Sequence, residues 1–417
     1  MPFRAYSKHH TISEHHFKLT ESGALYLTHA IRSFALSLVG IFIPIFIFTL
    51  PNKIIFISDT ILNNIIWVLL FFGIRSLTAC IATFLFSRLM FLKLHLKKSI
   101  LVSVFLASLQ LLSLISVEHF LDTGPSTWSL VVLLAGIING TAVFFYWIPF
   151  HIFFARKADT GDKKFGRETS LRYVVNQMAS VAGPLAGGLI ISHFGYDPLL
   201  ISSILLLIIS AIPALISIDE RQHHEHNPVH IIKEYILSRR FRKTTLAFTG
   251  SGIEAVIYAA LWPILVYIVL ENFTKIGALT SLSILISSLA VLWVGKLTDR
   301  KGPKLIHRIG VFFNTLFYLP RMFLTTAPVV YTLDIFDRLN GTLYGLPFMS
   351  IAYERARELG TSDFIIYREL SIHFPMAITA GFCILLLFLL PHWQWLFLLA
   401  AVGSAMTYLM SVDLERK

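Results

Sequence analysis

Charged residues and cysteines are scarce in this chain of 417 residues. Asp, Glu, Lys and Arg together make up 14% of the sequence, whereas an average soluble protein has about 25%. The 2 cysteines, Cys80 and Cys383, both lie inside apolar stretches, so a disulfide framework is excluded. The sequence contains no phosphate-binding loop motif, so ATP is not predicted as a direct energy source. The hydrophobic share of 55% instead indicates a protein whose surface faces lipid.

Two short patterns occur twice, about half a chain apart. Residues 146–150, Tyr-Trp-Ile-Pro-Phe, return at 344–348 as Tyr-Gly-Leu-Pro-Phe. Residues 167–171, Arg-Glu-Thr-Ser-Leu, return at 368–372 as Arg-Glu-Leu-Ser-Ile. Two halves of the same topology in such an apolar chain are typical of membrane transporters. Because both patterns are expected at the ends of apolar runs, we predict that they serve closure of the halves rather than substrate contact.

Twelve apolar runs are long enough to cross a membrane, for which a helix needs about 20 residues. The longest polar interruption separates the sixth run from the seventh. We therefore predict an all-α integral membrane protein with 12 transmembrane helices in two pseudo-symmetric six-helix bundles. The predicted parts are an N-terminal tail 1–23, a first bundle 24–217, a linker 218–243 with an interfacial helix, a second bundle 244–411 and a C-terminal tail 412–417.

Basic residues are distributed unevenly among the connections between runs. Most of the 35 Lys and Arg residues fall in the two tails and in alternate connections, all on one side of the predicted membrane. The other side carries only Lys53, Lys275 and Arg321. Positive charge marks the cytoplasmic side, so both termini are predicted to be cytoplasmic. The net charge of +11 thus reflects topology and contact with the lipid bilayer, and no nucleic acid partner is predicted.

The connection after the eighth run carries a family signature. Residues 295–304 read Gly-Lys-Leu-Thr-Asp-Arg-Lys-Gly-Pro-Lys. This resembles the cytoplasmic turn that the major facilitator superfamily repeats in its second half. The first-half counterpart, which begins at Ser87, has neither the glycines nor the aspartate, so no role is carried over to it. The resemblance implies a superfamily transporter fold whose two bundles rock around a central site.

The fifth run contains a second resemblance. Residues 183–188, Gly-Pro-Leu-Ala-Gly-Gly, are similar to the core of a motif that many superfamily exporters carry in their fifth helix. A proline in a helix permits a bend, and small residues let a neighbouring helix approach closely. We predict a helix-packing role for Gly183, Pro184, Gly187 and Gly188.

Ionisable residues inside the apolar runs are candidates for the substrate or proton pathway, because burying a charge in a membrane is costly. The resemblance implies that the first, fourth, seventh and tenth helices line the cavity. Glu254 or Asp337 is the predicted proton acceptor, and Arg32 and Arg75 are the predicted contacts for an anionic group or counter-ions. Structural ion pairs, Arg75 with Glu254 or Asp334 with Arg338, are the alternative. The full predicted set is His29, Arg32, Arg75, Tyr146, Glu254, Trp262, Asp334, Asp337 and Arg338.

A cytoplasmic gate is predicted where the superfamily turn of one half meets the fifth helix of the other. Asp299 would then lie near Arg167 and Ser170. Glu168 and Glu369 are alternatively predicted to stabilise helix starts, since a carboxylate in a first turn favours the helix dipole. The predicted gate residues are Arg167, Glu168, Ser170, Gly295, Asp299, Arg300, Gly302, Arg355, Arg357, Arg368 and Glu369.

Together these patterns predict a monomeric secondary transporter of a small molecule in a prokaryotic inner (plasma) membrane. Protons are the predicted coupling ion, and no metal, cofactor or enzymatic activity is expected. Export of amphipathic compounds by antiport is one predicted mode. Uptake of a small anionic metabolite, or a non-transporting sensor or interaction role on the same scaffold, are the alternatives.

Overall fold

The computed structural model describes residues 21–51, 54–93, 96–121, 124–157, 174, 177–216, 228–323, 326–389, 392–412 and 414. Throughout these residues the regular structure is helical, without strands. The first half of the chain consists of helices α1 (Glu21–Val39), α2 (Phe42–Thr49), α3 (Thr60–Lys93), α4 (Leu96–His119), α5 (Pro125–Lys157), α6 (Gly183–Phe194) and α7 (Tyr196–Ile216).

The second half has the same kind of architecture. Its helices are α8 (Arg242–Leu270), α9 (Phe273–Lys301), α10 (Pro303–Tyr318), α11 (Ala327–Leu359), α12 (Thr361–Leu387) and α13 (Leu396–Met406). Before α8, the helical turns Pro228–Ile231, Ile232–Ile236 and Arg239–Phe241 occupy the end of the predicted linker. Here the Tyr235 hydroxyl donates a hydrogen bond of 2.9 Å to the Leu359 carbonyl, which holds the linker against the second half.

Nine helical segments within the described ranges are long and apolar enough to cross a membrane. Three of the twelve predicted runs are not among them. The fifth begins outside the described residues, α10 has only 16 residues, and α11 carries several charged side chains. The first run, predicted as one helix, is divided between α1 and α2 by a turn at Gly40. The chain is therefore a multi-pass helical membrane protein, whereas twelve spans and cytoplasmic termini stay predictions.

The most extensive contacts between the halves are made by two helix pairs: α3 packs on α12, and α6 packs on α9. A two-fold operation that exchanges the halves also exchanges these two pairs, as expected for a repeated six-helix unit. The α6–α9 contact depends on glycine. A Cβ atom on Gly188 would overlap the backbone oxygen of Phe273, and one on Gly277 would overlap that of Pro184. Small residues thus allow the two backbones to touch.

The predicted packing glycines of α6 also face α1. A Cβ atom on Gly183 would overlap the Ser37 hydroxyl, and one on Gly187 would overlap the carbonyl oxygen of Leu38. Pro184 occupies the first turn of α6, where a missing N–H costs no helical hydrogen bond. These residues position the wall of the cavity described next.

Candidate functional site

A cavity of about 570 Å³ lies between the two halves. Its volume is within the range of about 300–1,000 Å³ that is usual for small-molecule sites. The predicted lining helices, the first, fourth, seventh and tenth, all contribute, and the fifth, eighth and ninth runs contribute as well. The lining consists of His29, Arg32, Ser33, Leu36, Ser37, Gly40, Ile41, Trp147, Gln177, Ser180, Pro184, Glu254, Tyr258, Thr280, Ile284, Ser287, Asn314, Tyr318, Asp337, Arg338, Gly341 and Tyr344.

The wall from the first half is built around Arg32 of α1. Its guanidinium carbon lies 3.6 Å from the centre of the Tyr146 ring, a cation–π contact with α5. The Tyr146 hydroxyl is 2.6 Å from Nδ1 of His29, one turn before Arg32. Tyr146 itself is fully buried behind the wall. His29 and Tyr146 therefore fix the position of the arginine that faces the cavity.

The wall from the second half is built around Glu254 of α8. One carboxylate oxygen accepts hydrogen bonds from Nδ2 of Asn314 at 2.6 Å and from the Tyr318 hydroxyl at 3.0 Å. The other oxygen accepts one from the Tyr344 hydroxyl at 2.5 Å. All three donors are neutral groups, so within the described part of the chain the carboxylate is stabilised by hydrogen bonds without a cationic partner.

Two ion pairs complete the second-half wall. Arg338 lies 3.4 Å from the Asp334 carboxylate, one helical turn away, and Asp334 also accepts a hydrogen bond of 2.8 Å from the indole of Trp262. Trp262 and Asp334 lie behind the lining, whereas Arg338 reaches it. Asp337, which also lines the cavity, pairs with Arg321 at 2.8 Å.

Arg321 is a site residue that sequence reasoning missed. The sequence pattern predicts a cation in a connection between runs, yet the side chain of Arg321 is 0% exposed. The turn Pro320–Phe323 directs it into the bundle, where its guanidinium carbon lies 4.4 Å from the ring centre of Trp262 and 4.5 Å from that of Tyr318. The only sequence signal was the position of this arginine beside several aromatic residues.

Arg75 does not line the cavity, contrary to the prediction. Its Nε donates a hydrogen bond of 2.6 Å to Oδ1 of Asn139, and the Asn139 amide donates one of 3.1 Å to Oε1 of Gln110. This chain of contacts lies between α3, α4 and α5, inside the first half. The alternative pairing of Arg75 with Glu254 is therefore wrong, whereas the alternative Asp334–Arg338 pair is present.

The doubled pattern at Tyr146 and Tyr344 was expected at the ends of runs and away from the substrate. The structure corrects this position, because Tyr344 lines the cavity and Tyr146 supports Arg32. The reason is that both helices continue for three or four turns past the repeated tyrosines, α5 to Lys157 and α11 to Leu359. The pattern consequently lies nearer to the middle of each helix than hydropathy indicated.

The halves also touch each other beyond the cavity. We call the end of the bundle with the basic connections the basic end, and a side-chain contact joins the halves there. Nδ1 of His151 in α5 and the hydroxyl of Tyr353 in α11 are 2.7 Å apart. The His151 ring also stacks on Trp147, with 5.3 Å between ring centres. At the opposite end, Phe48 of α2 contacts Tyr267 of α8, with ring centres 6.2 Å apart. The halves thus touch on both sides of the cavity.

The predicted gate is described only in part. Arg167, Glu168 and Ser170 lie outside the described residues. Gly295, Asp299 and Arg300 lie in the basic-end part of α9, and Gly302 follows with a positive φ of 84°. This conformation suits glycine and permits the tight reversal into α10.

Three other predicted gate residues belong to contacts within the second half. Arg355 donates hydrogen bonds to the Thr244 hydroxyl at 2.7 Å and to the Val412 carbonyl at 2.7 Å, so it joins α11 to the start of α8 and the end of the chain. Arg368 forms an ion pair with Glu369. Arg357 is exposed on the last turn of α11.

The helix-start role of Glu369 is wrong. Helix α12 begins at Thr361, eight residues before Glu369, because polar residues open the helix before its apolar part starts. Glu369 is buried two turns inside, where it also lies 3.3 Å from Nε2 of His373.

The fold and the cavity define a multi-pass helical membrane protein with a cavity of small-molecule size between two similar halves. The family profile of the Major Facilitator Superfamily matches residues 25–362. The chain belongs to this superfamily, whose members are transporters and not enzymes.

The individual proteins that resemble this chain share little of its sequence. The chain is 28% identical over 156 residues to the multidrug resistance protein MdtG of Escherichia fergusonii, a match that covers 35% of this chain and 38% of that protein. A bacterial homologue of the iron transporter ferroportin, in its inward-facing state, superimposes with a TM-score of 0.61 at 14% identity over 94% of this chain and 97% of that one.

The Escherichia coli fucose:proton symporter FucP gives a TM-score of 0.60 at 13% identity, covering 93% of this chain and 97% of the symporter. These two structural likenesses show the fold alone.

Proposed function

We propose that this protein is a proton-coupled secondary transporter that moves a small molecule through the central cavity by alternating access. The observation that carries the proposal is the position of Glu254, a carboxylate on the cavity wall whose hydrogen-bond donors are all neutral. Such a carboxylate can bind and release a proton without breaking an ion pair. Protonation would remove the only charge of this group of side chains.

The other carboxylates of the cavity are less suited to this role. Asp337 is paired with Arg321 at 2.8 Å, and Asp334 is shared between Arg338 and the Trp262 indole. A proton bound at either aspartate would have to break an ion pair that the structure contains. We therefore assign proton acceptance to Glu254 and a structural role to the two aspartates.

Alternating access requires contacts that break on one side while they form on the other. The His151–Tyr353 contact at the basic end and the Phe48–Tyr267 contact at the opposite end are the candidates supported by geometry. We further propose that the turn with Asp299 closes against the start of the fifth run, near Arg167.

Export by antiport is the proposed direction, and the observation that favours it is the resemblance to a protein named for multidrug resistance, together with the motif at 183–188. We also propose that the protein is a monomer in a prokaryotic inner membrane. The ferroportin likeness, at 14% identity, shows the fold alone and carries no substrate over to this chain.

The test is transport by the purified protein in proteoliposomes, with an imposed pH gradient. Ethidium serves as the lipophilic probe and hippurate as the anionic probe. The Glu254→Gln variant should lose accumulation driven by the gradient but keep exchange of probe across the membrane at equal pH, because only the proton site is removed. Glu358→Gln changes an exposed carboxylate on α11 and should behave as the parent protein.

Gradient-driven accumulation that survives in Glu254→Gln would remove this residue from the coupling mechanism. Absence of exchange for every probe in the parent protein would favour the non-transporting alternative.

A further inference from the structure

The arginines around the cavity have carboxylate partners in the second half but, among the described residues, not in the first. Arg338 and Arg321 each have an aspartate within 4 Å. Arg32 has none among the residues that the structure describes, and its Nε is buried without a hydrogen-bond partner. Arg32 is only 5% exposed, yet it lines the cavity. Arg32 is thus the arginine at the cavity that has no carboxylate partner among the described residues.

A buried arginine without a counter-ion is unfavourable, because its charge loses hydration that nothing replaces. The Tyr146 ring, 3.6 Å from the guanidinium carbon, offsets part of this loss. The ring covers one face of the guanidinium, while Nε of Arg32 has no acceptor among the described residues. An oxyanion that entered the cavity would supply such acceptors, and arginine binds carboxylate or phosphate oxygens in pairs.

Glu254 occupies the corresponding place in the other half. Arg32 lies on the first helix of its half beside a tyrosine of the first repeat, and Glu254 lies on the first helix of its half beside Tyr344 of the second repeat. The two walls therefore present an unmatched cation and a carboxylate with neutral partners. Asp337 and Arg338, which also line the cavity, are already engaged in ion pairs. The lining further includes hydroxyl and amide groups, among them Ser33, Ser37, Gln177, Ser180, Thr280, Ser287 and Asn314.

We infer that the cavity binds a small polar molecule with one anionic group, a carboxylate or a phosphate, held by Arg32. A hydrogen-bond donor elsewhere on the molecule would face Glu254. This inference rests on the proposed role of the cavity as the transport site. It argues against a purely lipophilic cation as substrate, because such a molecule would leave Arg32 unpaired and add a like charge to the cavity.

The experiment measures thermal stabilisation of the purified full-length protein by probes that differ only in charge. Hippurate is compared with its neutral amide hippuramide, and glucose 6-phosphate with glucose, so that the two arms separate carboxylate from phosphate. Ethidium represents a lipophilic cation. We expect one anion to stabilise the protein and its neutral counterpart to do so at least about tenfold more weakly, as for a lost charge-assisted hydrogen bond.

Variants then assign the effect to one side chain. Arg32→Gln should weaken binding of that anion by about tenfold or more, and Arg32→Lys should retain part of it, because the charge stays while the paired geometry is lost. Arg75→Gln is the matched control, since it removes a half-buried arginine that lies inside the first half but outside the cavity. If Arg32→Gln fails to fold, the comparison of Arg32→Lys with the parent protein decides.

Several results would overturn the inference: equal stabilisation by an anion and its neutral partner, stabilisation by ethidium alone, or anion binding unchanged in Arg32→Gln. Stabilisation by neither anion would overturn it as well. Ethidium transport driven by a pH gradient would then leave the proposed transport intact. Conversely, Arg32-dependent anion binding without gradient-driven uptake would support the site and contradict the transport mechanism.

Discussion

The buried pair of Arg321 and Asp337 offers the sharpest test of the energetics of the second half. Arg321 is 0% exposed and lies 2.8 Å from the Asp337 carboxylate. The change Asp337→Asn keeps the shape of the side chain but leaves the arginine charge uncompensated in the protein interior. Breaking a buried ion pair in this way costs about 3–5 kcal/mol. The rings of Trp262 and Tyr318 remain and should keep the loss near the lower end of that range.

The reverse change, Arg321→Met, should cost less. Asp337 lines the cavity, so its carboxylate can be hydrated once the arginine is gone. The double variant removes both charges together. Replacement of a whole buried pair is often neutral, so we expect the double variant to be more stable than Asp337→Asn alone by about 2 kcal/mol or more.

The measurement is unfolding of the purified protein in mixed micelles titrated with sodium dodecyl sulfate, followed by helical circular dichroism. Glu358→Asn, at an exposed carboxylate on α11, controls for the general loss of an acidic side chain. The reasoning is refuted if Asp337→Asn costs less than about 1 kcal/mol, or if the double variant loses the sum of the two single losses.

Two further predictions concern packing and closure. Gly187→Ala should destabilise the protein by about 1–3 kcal/mol, because the added Cβ would overlap the carbonyl oxygen of Leu38; Gly381→Ala, where a Cβ meets nothing within 4 Å, should be tolerated in the same micelle titration. Tyr353→Phe removes a hydrogen bond between the halves worth about 0.5–1.5 kcal/mol. It should raise the rate at which a cysteine placed in the cavity reacts with a thiol reagent applied from the basic end, and an unchanged rate would show that the His151 contact does not hold that end closed.

The sequence predicted the helical membrane architecture because long apolar runs and alternating basic connections are strong, local signals. It also placed Arg32 and Glu254 in the cavity, since their helices are the ones that face it. It misplaced Arg75, because hydropathy marks a buried charge without showing which side of the helix it occupies. It missed Arg321, because an arginine between two runs looks like an exposed loop cation until the turn that folds it inward is known.

The position of the repeated tyrosines changes how closure connects to the cavity. The sequence pattern predicts that the repeats serve closure more than substrate contact, yet Tyr146 supports the cavity wall, and the next residue, Trp147, lines it. One helical turn further along α5, His151 stacks on Trp147 and contacts Tyr353 of the other half. A molecule that displaced the Trp147 ring would therefore act directly on the contact that joins the halves at the basic end. The residues for binding and for closure lie on neighbouring turns of one helix. Their coupling therefore does not need a long chain of contacts through the protein.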